Sequence, residues 1–386
     1  MKNFLRVLFL FFMMVISGCW DKKELNDLAV VMGVGIDKGP KGEIRVTAQV
    51  IRPPSKQGGS TGGSSLPTWS LSANGSTVLD AIAHLNEISP RRLYWPHMQL
   101  IIFGDALARE GVAPYLNWFA RDLESRTSTI LAVTQGKAED LLNQKVELGN
   151  VPTKTMADLI QTSDLRQLPT RKMTLRDFVS FLATPGIDSA VDVINMKSVR
   201  GKPETYSVAK IAVFKGDKLV GYISGAQRTA VEMVNNKYRN ALLKVACPND
   251  KTKEFIFQVT DYSITKSISA KDENIQVGMN IFVEGNLNDQ SCAVNLLQPK
   301  MMQRVEKNIQ SQVQTYILTT FEKSAEMKAD IYGIGRNLKR HYPHVWDNLQ
   351  KDWKNILPQV KFNIKVKSYI RRNGLIILPT NQMMEE

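Results

Sequence analysis

The chain has 386 residues, of which 43% are hydrophobic and 23% charged, and its formal net charge is +13 at pH 7. These fractions are those of globular proteins and exclude wholesale disorder, and the length suffices for two or three domains. A positive charge of this size suits nucleic acid, an anionic lipid surface, or solubility alone.

The first eighteen residues have the features of a secretory signal. Lys2 and Arg6 are their only charges, residues 7–16 are an unbroken apolar run, and two small residues precede Cys19. A membrane-spanning helix needs roughly 20 apolar residues, so this run is too short for an ordinary anchor. A charged start, a short apolar centre and a small-residue cleavage site are typical of exported proteins. Export argues against nucleic acid as a partner and leaves a lipid surface or solubility to explain the charge.

Cys19 ends the run Ile16-Ser17-Gly18-Cys19. This run resembles the lipobox of bacterial lipoproteins, which implies removal of residues 1–18, diacylglycerol on the Cys19 sulfur and an N-acyl chain such as palmitate. Several acyl chains hold a protein on a membrane where one binds only reversibly. The alternative is an ordinary cleaved signal with an incidental cysteine. No later apolar run reaches the length of a membrane helix, so the mature chain is expected to lie on the membrane without crossing it.

Residues 28–200 are predicted to form an N-terminal α+β region of two subdomains, after a tether at 19–27. Strands 28–37 and 44–50 form a hairpin, and a flexible Gly/Ser-rich loop covers 53–67. Strands and helices then alternate up to residue 143, with Ser76 or Thr77 capping the first helix. Helices are predicted at 153–161 and 174–182, and a strand at 191–196.

Residues 201–372 are predicted to form a C-terminal α+β domain, followed by a tail at 373–386. Gly201 to Glu204 have turn chemistry and mark the expected boundary. A hairpin at 207–223, a short helix and three β-rich segments follow, and the longest helix covers 299–327. Its apolar residues recur at helical spacing, which indicates core packing. The expected fold class is α+β, with mixed or antiparallel sheets, packed helices and two to three domains.

Two cysteines remain after Cys19, namely Cys247 and Cys292. Export permits a disulfide between them, and two cysteines in adjacent strands could pair. Two thiols are not a disulfide framework, however, and a chain of this size does not require one. Whether they pair is left open.

No catalytic, cofactor-binding or metal-binding residue is predicted. Residues 33–37, Gly-Val-Gly-Ile-Asp, lack the third glycine and the following helix of a nucleotide loop. His341 and His344 are separated by Pro343, which is expected to open a new helix, so they do not form a metal pair. His84 and His97 have no partners at a catalytic spacing, and no zinc-protease motif occurs.

The start of the mature chain carries a specific resemblance. Residues 18–37 contain Gly-Cys-Trp-Asp, basic residues, Glu-Leu and a hydrophobic strand that ends in Gly-Ile-Asp. This pattern resembles the Ger(x)C lipoprotein family of endospore-forming bacteria, the C subunits of spore germinant receptors. Residues 206–224, the helix from Pro299, the segment 330–335 and the strand from 360 are similar to the family's C-terminal domain. The Gly/Ser-rich loop departs from the family in a region where lengths vary.

The resemblance implies a function. Ger(x)C proteins work with a multi-spanning A subunit and a polytopic B subunit in the inner membrane of the spore, and start germination in response to small nutrients. The C subunit is anchored by lipid to the outer face of that membrane and is not known to do chemistry. Nutrient binding is assigned mainly to the B subunit, so no nutrient pocket is expected in this chain.

Two other classes of exported protein remain as alternatives. A solute-binding lipoprotein of an ABC importer also uses a lipobox, but its usual body is two hinged α/β lobes, whereas the C-terminal half here has long successive strands. A surface enzyme such as a wall hydrolase lacks support, because no nucleophile or metal constellation is found in the sequence.

Overall fold

The computed structural model describes residues 4, 27–51, 68–122, 125–144, 151–163, 170–199, 202–235, 242–271, 273–296 and 298–372. Apart from Phe4 and Asp27, the predicted signal 1–18 and the tether 19–27 with Cys19 lie outside the described residues, as do the loop 53–67 and the tail 373–386. The described chain contains mixed sheets with packed helices, which confirms the α+β class.

A mixed sheet of nine strands occupies the first part of the described chain. Its strands are β1 (Leu28–Lys38), β2 (Ile44–Ile51), β3 (Thr68–Gly75), β4 (Arg92–Tyr94), β5 (Leu100–Gly104), β6 (Ile130–Thr134), β7 (Ala190–Val199), β8 (Lys202–Lys215) and β9 (Lys218–Ser224). Their order is β3-β2-β1-β5-β6-β7-β8-β9, and β4 pairs with the start of β1. The strands β1, β5, β6 and β7 are parallel, and antiparallel strands extend the sheet at both ends.

Helices cover both faces of this sheet. They are α1 (Val78–Ile88), α2 (Asp105–Glu110), α3 (Ala113–Arg121), α4 (Ala138–Asn143), α5 (Pro152–Gln161) and α6 (Leu175–Leu182). Leu100 and Ile102 on β5 pack against α4 and α5, while Ile101 and Phe103 face the helices on the other side. Burial on both faces is typical of parallel strands and explains why residues 100–103 are uniformly apolar.

Side-chain caps start two of these helices, and the sequence predicted the cap of α1. The Thr77 hydroxyl accepts a hydrogen bond from the Asp80 backbone N–H at 3.1 Å, and Thr174 accepts one from Asp177 N–H at 3.1 Å. Each cap satisfies a backbone donor that the first helical turn leaves without an intrahelical partner. Of the two predicted caps for α1, Thr77 is the one used.

The glycines at the centre of β1 are packing positions. A Cβ on Gly33 would collide with the Thr153 side chain on α5, and one on Gly35 would lie 2.9 Å from Ala138 Cβ on α4. Both glycines therefore let helices approach the sheet closely. They lie within a strand and not in a loop before a helix, which agrees with setting the nucleotide loop aside.

A four-stranded sheet and a long helix form the rest of the described chain. The elements are α7 (Ala226–Val234), β10 (Leu242–Ala246), β11 (Glu254–Lys271), β12 (Asn274–Gln290), α8 (Pro299–Glu326), α9 (Ile334–His341), α10 (Pro343–Leu349), α11 (Trp353–Ile356) and β13 (Lys361–Arg372). The order is β10-β11-β12-β13, with β13 parallel to β12 and the other pairs antiparallel. The predicted apolar stripe of α8 is largely buried in this core, through Val305, Ile309, Val313, Ile317 and Phe321.

Strand pairing is present on both sides of residues 200–201, near the predicted domain boundary. β7 and β8 pair antiparallel up to Val199 and Lys202. One face of β7–β9 belongs to the core of the first sheet, and the other face, with Ile211 and Ile223, joins the core of the C-terminal sheet.

Cys247 and Cys292 form a disulfide, with their Cα atoms 5.7 Å apart. They follow β10 and β12, which lie on either side of β11, so the bond joins chain segments that flank a central strand. The sequence left this pairing open, because their neighbourhood depends on the strand order and not on local pattern.

Removal of the disulfide by Cys247→Ala together with Cys292→Ala should lower the free energy of unfolding by about 3 kcal/mol, because the bond closes a loop of 45 residues in the unfolded chain. Denaturant unfolding measures the change. Reductant should lower the free energy of unfolding of the unaltered chain by the same amount, and it should leave that of the double variant unchanged. An unaltered chain that reductant does not affect, and that shows two free thiols without it, would contradict the pairing.

Candidate functional site: the anchor end and the junction between the sheets

The predicted lipidation site lies just before the folded part of the chain. Cys19 precedes Asp27 by eight residues, and Asp27 leads directly into β1 at Leu28. The start of β1 at Leu28, nine residues after Cys19, therefore lies within about 32 Å of it, because an extended chain spans at most about 3.5 Å per residue. β1 is an interior strand, paired with β2 and β5. A lipid on Cys19 would thus hold the first sheet close to the membrane surface.

An open groove lies beside this anchor end of the sheet. Its lining comprises Asp27, Asn86, Ser89, Pro90, Arg91 and Arg92. Arg92 stands opposite Leu28 in the short parallel pairing of β4 with β1. Arg91 and Arg92 therefore lie near Asp27, where the described chain enters β1. Near an anionic lipid surface each such cation contributes about 1 kcal/mol of attraction.

The histidines have structural surroundings. The ring Nδ1 of His84 lies 2.8 Å from the Asn74 carbonyl oxygen, and the His97 ring packs 5.9 Å from that of Tyr94. His341 ends α9, and His344 lies in α10, which begins at Pro343 as predicted. Within the described ranges no three His, Cys, Asp or Glu side chains are grouped to hold a metal ion.

None of the helices in the described part of the chain is both long and apolar enough to cross a membrane.

The two sheets meet at a junction formed by Asp188 and Asp330. Asp188 precedes β7, and Asp330 follows α8. Asp188 N–H donates to the Asp330 carbonyl at 2.9 Å, and Asp330 N–H donates to Asp188 Oδ2 at 2.8 Å. Gly216, between β8 and β9, donates its N–H to Asp188 Oδ1 at 2.8 Å. A pair of short segments thus ties the hairpin end of the first sheet to the C-terminal part.

The Asp330 carboxylate is 3% exposed and accepts three hydrogen bonds. The donors are Ile334 N–H at 3.0 Å, Gly335 N–H at 2.7 Å and Trp353 Nε1–H at 3.1 Å. Burial raises the pKa of Asp330 to about 6, against the opposing effect of these bonds. Burial also raises the pKa of Asp188, which hydrogen bonds to Gly216 and Asp330 partly offset.

Glycines allow the two parts to approach at this junction. The Gly186 carbonyl accepts a hydrogen bond from Arg336 N–H at 2.6 Å. A Cβ on Gly186, whose φ is +76°, would collide with the backbone at Gly335, and one on Gly335 would lie 2.6 Å from the Trp346 ring. The segment 330–335, noted in the sequence only for its family resemblance, therefore forms one side of a close contact between the two parts.

Sequence reasoning did not identify Asp188 as the partner of Asp330. The two aspartates are 142 residues apart, and no local pattern links them. The available signal was compositional: glycines and an aspartate lie together in two short connections, at 186–188 and 330–335. Cys19, the one residue predicted to carry chemistry, lies outside the described residues.

Two family models match the chain over nearly its whole mature length. The model described as the spore germination protein N-terminal domain matches residues 21–196, and that described as spore germination B3/GerAC like, C-terminal, matches residues 209–374. The first match begins two residues after Cys19. Together they confirm the resemblance seen in the sequence.

Individual spore germination proteins match this chain over nearly their whole length. Spore germination protein KC of Bacillus subtilis (strain 168) is 26% identical, with 97% of this chain and 96% of the relative covered. Spore germination protein B3 of the same organism is 24% identical, with coverages of 97% and 100%. The crystal structure of the GerBC protein superposes with a TM-score of 0.57 at 16% identity, over 91% of this chain and 99% of that chain, and shows the same fold. The chain therefore belongs to the Ger(x)C family of spore germination proteins.

Proposed function

We propose that this chain is the lipid-anchored C subunit of a nutrient germinant receptor, and that it acts without catalysis by assembling with integral-membrane A and B subunits. The observation that carries the proposal is the end-to-end family match, which begins at residue 21, directly behind the lipobox. Relatives named as spore germination proteins share its whole length. We therefore propose that the chain acts in the spore.

We place the chain on the outer face of the inner spore membrane, held by lipid on Cys19. The secretory signal and the lipobox support this location. The Cys247–Cys292 disulfide suits an oxidising compartment outside the cytosol. Arg91 and Arg92 lie where the tether leaves the fold, and suit an anionic lipid surface.

Support for a non-catalytic role comes from the chemistry of the described side chains. His84 and His97 contact a backbone carbonyl and an aromatic ring, and no metal cluster occurs within the described ranges. The most heavily hydrogen-bonded buried carboxylate at the junction, Asp330, binds backbone and indole N–H groups. Such an arrangement positions chain segments and leaves the carboxylate enclosed.

Co-purification from spores tests the proposal. The chain is tagged after residue 386, extracted from spore membranes in detergent and purified, with an untagged strain as the control. We expect an A and a B receptor subunit to be recovered with it, and spores lacking the chain to lose germination with one nutrient while a restored copy recovers it. Recovery of an importer permease and ATPase, with germination unaffected by deletion, would instead favour the solute-binding lipoprotein.

A further inference from the structure

A partly open cavity of about 190 Å³ lies between α6 and the end of α7. We call it the Arg171 cavity; its lining residues are Arg171, Met173, Asp177, Phe181 and Asn235. A water molecule takes about 30 Å³ in the liquid, so the space admits a molecule of about six non-hydrogen atoms. The cavity is therefore large enough for a small organic ligand.

Arg171 has two side-chain N–H groups that donate no hydrogen bond to any described residue. Its side chain is only 5% exposed, and Nε and Nη1 are buried without a hydrogen-bond partner among the described residues. Glu232 Oε2 lies 3.9 Å from Nη1, which is an ion-pair distance and too long for a direct hydrogen bond. Native proteins seldom leave a buried charged donor in this condition, so the group calls for an acceptor from outside the chain.

The position of Arg171 is held by its neighbours. The buried Asp192 carboxylate on β7 accepts the Arg171 N–H at 2.8 and 3.0 Å and the Lys172 N–H at 2.9 Å. These bonds hold the chain where Lys172 has a φ of 48°. The Arg171 guanidinium carbon lies 5.7 Å from the centre of the Phe181 ring, a cation–π distance. Asp192 thus fixes the backbone of Arg171, and the Phe181 ring packs against its guanidinium.

The charges and walls of the cavity define what it can accept. Arg171 and Arg228 are matched by the buried carboxylates of Asp192 and Glu232, and Asp177 adds a negative charge to the lining. The small negative balance that results disfavours a doubly charged anion such as phosphate more strongly than a singly charged one. A carboxylate carries one charge and two oxygens that fit the guanidinium fork. Met173 and Phe181 supply apolar surface for a carbon chain.

We propose that the Arg171 cavity binds a small organic molecule with one carboxylate, whose oxygens accept hydrogen bonds from Arg171 while its carbon chain packs on Met173 and Phe181. Asn235 supplies a further polar contact in the cavity lining. The inference rests on this cavity alone and holds whether or not the receptor role is correct.

Binding of propionate to the purified full chain in detergent tests the proposal, measured by saturation-transfer NMR at constant ionic strength. We expect propionate to bind, and propionamide and inorganic phosphate to bind at least about tenfold more weakly. Arg171→Gln should weaken propionate binding by a similar factor. Arg340→Gln is the matched control, because this arginine is exposed and does not line the cavity.

A second variant covers the case in which Arg171→Gln does not fold. Phe181→Trp enlarges a partly buried wall residue, leaves Arg171 in place and should abolish propionate binding by filling the cavity. Propionate binding that survives in Phe181→Trp, equal binding of propionamide, or an unaltered chain that binds no propionate because the cavity holds water alone would each overturn the proposal.

Discussion

Spores that carry Cys19→Ala should lose the chain from the inner membrane and lose germination with the cognate nutrient. The variant lacks the sulfur to which diacylglycerol is attached, and each buried methylene of an acyl chain contributes about 0.8 kcal/mol to membrane binding. Loss of the acyl chains therefore removes far more binding free energy than the cations beside the tether can supply. Immunoblots of membrane and soluble spore fractions, and the fall in optical density after nutrient addition, measure the two effects.

Ser17→Ala is the matched control, because it keeps a small residue at the same lipobox position and should leave both measurements unchanged. A third strain carries a transmembrane helix in place of residues 1–19. Recovery of germination in that strain would show that Cys19 serves as an anchor, and no recovery would show that the lipid itself contacts a partner. Full membrane recovery and full germination of Cys19→Ala would contradict the lipid-anchor proposal.

Asp330→Ala should lower the free energy of unfolding by about 3 kcal/mol at pH 7, because it leaves three buried N–H donors without their acceptor. The loss falls at the junction, so the C-terminal sheet and the β7–β9 strands should become less firmly connected. Denaturant unfolding followed by tryptophan fluorescence measures it. Asp347→Ala, at an exposed position on α10, is the control and should change stability by less than about 0.5 kcal/mol.

The free energy of unfolding lost through Asp330→Ala should decrease as the pH rises. Burial raises the pKa of Asp330 to about 6 from 3.8, so the folded state holds this proton more tightly than the unfolded chain. The resulting stability is fully present below about pH 4 and is lost as the pH rises through about 6. The free energy of unfolding lost through Asp330→Ala should therefore be about 1 kcal/mol larger at pH 5 than at pH 7. A loss that grows with rising pH would contradict the assigned shift.

Elements set by neighbouring residues were predictable. The Thr77 cap, the spacing of Val305, Ile309 and Val313, and the new helix at Pro343 follow from interactions within one or two turns. The α+β class and the family followed from the order of such elements and from residues 18–37. These features are encoded within short windows of sequence, which is why they were found.

Contacts between distant segments were not predictable. The disulfide depends on β11 lying between β10 and β12 in the sheet. Arg171 carried no sequence signal, since an arginine between polar residues is typical of an exposed surface. It became notable only when packing buried its guanidinium beside a cavity.

The family of this protein, and the signal and lipid anchor proposed for it, are therefore recognisable from local sequence. A short apolar signal, the lipobox at Cys19 and the motif that follows need no folding to be recognised, because each is a continuous run of residues. The pairing of Asp188 with Asp330, the Cys247–Cys292 bond and the Arg171 cavity were decided by the tertiary structure. Each joins residues far apart in the chain, and their proximity arises only when apolar faces of separate elements are buried together.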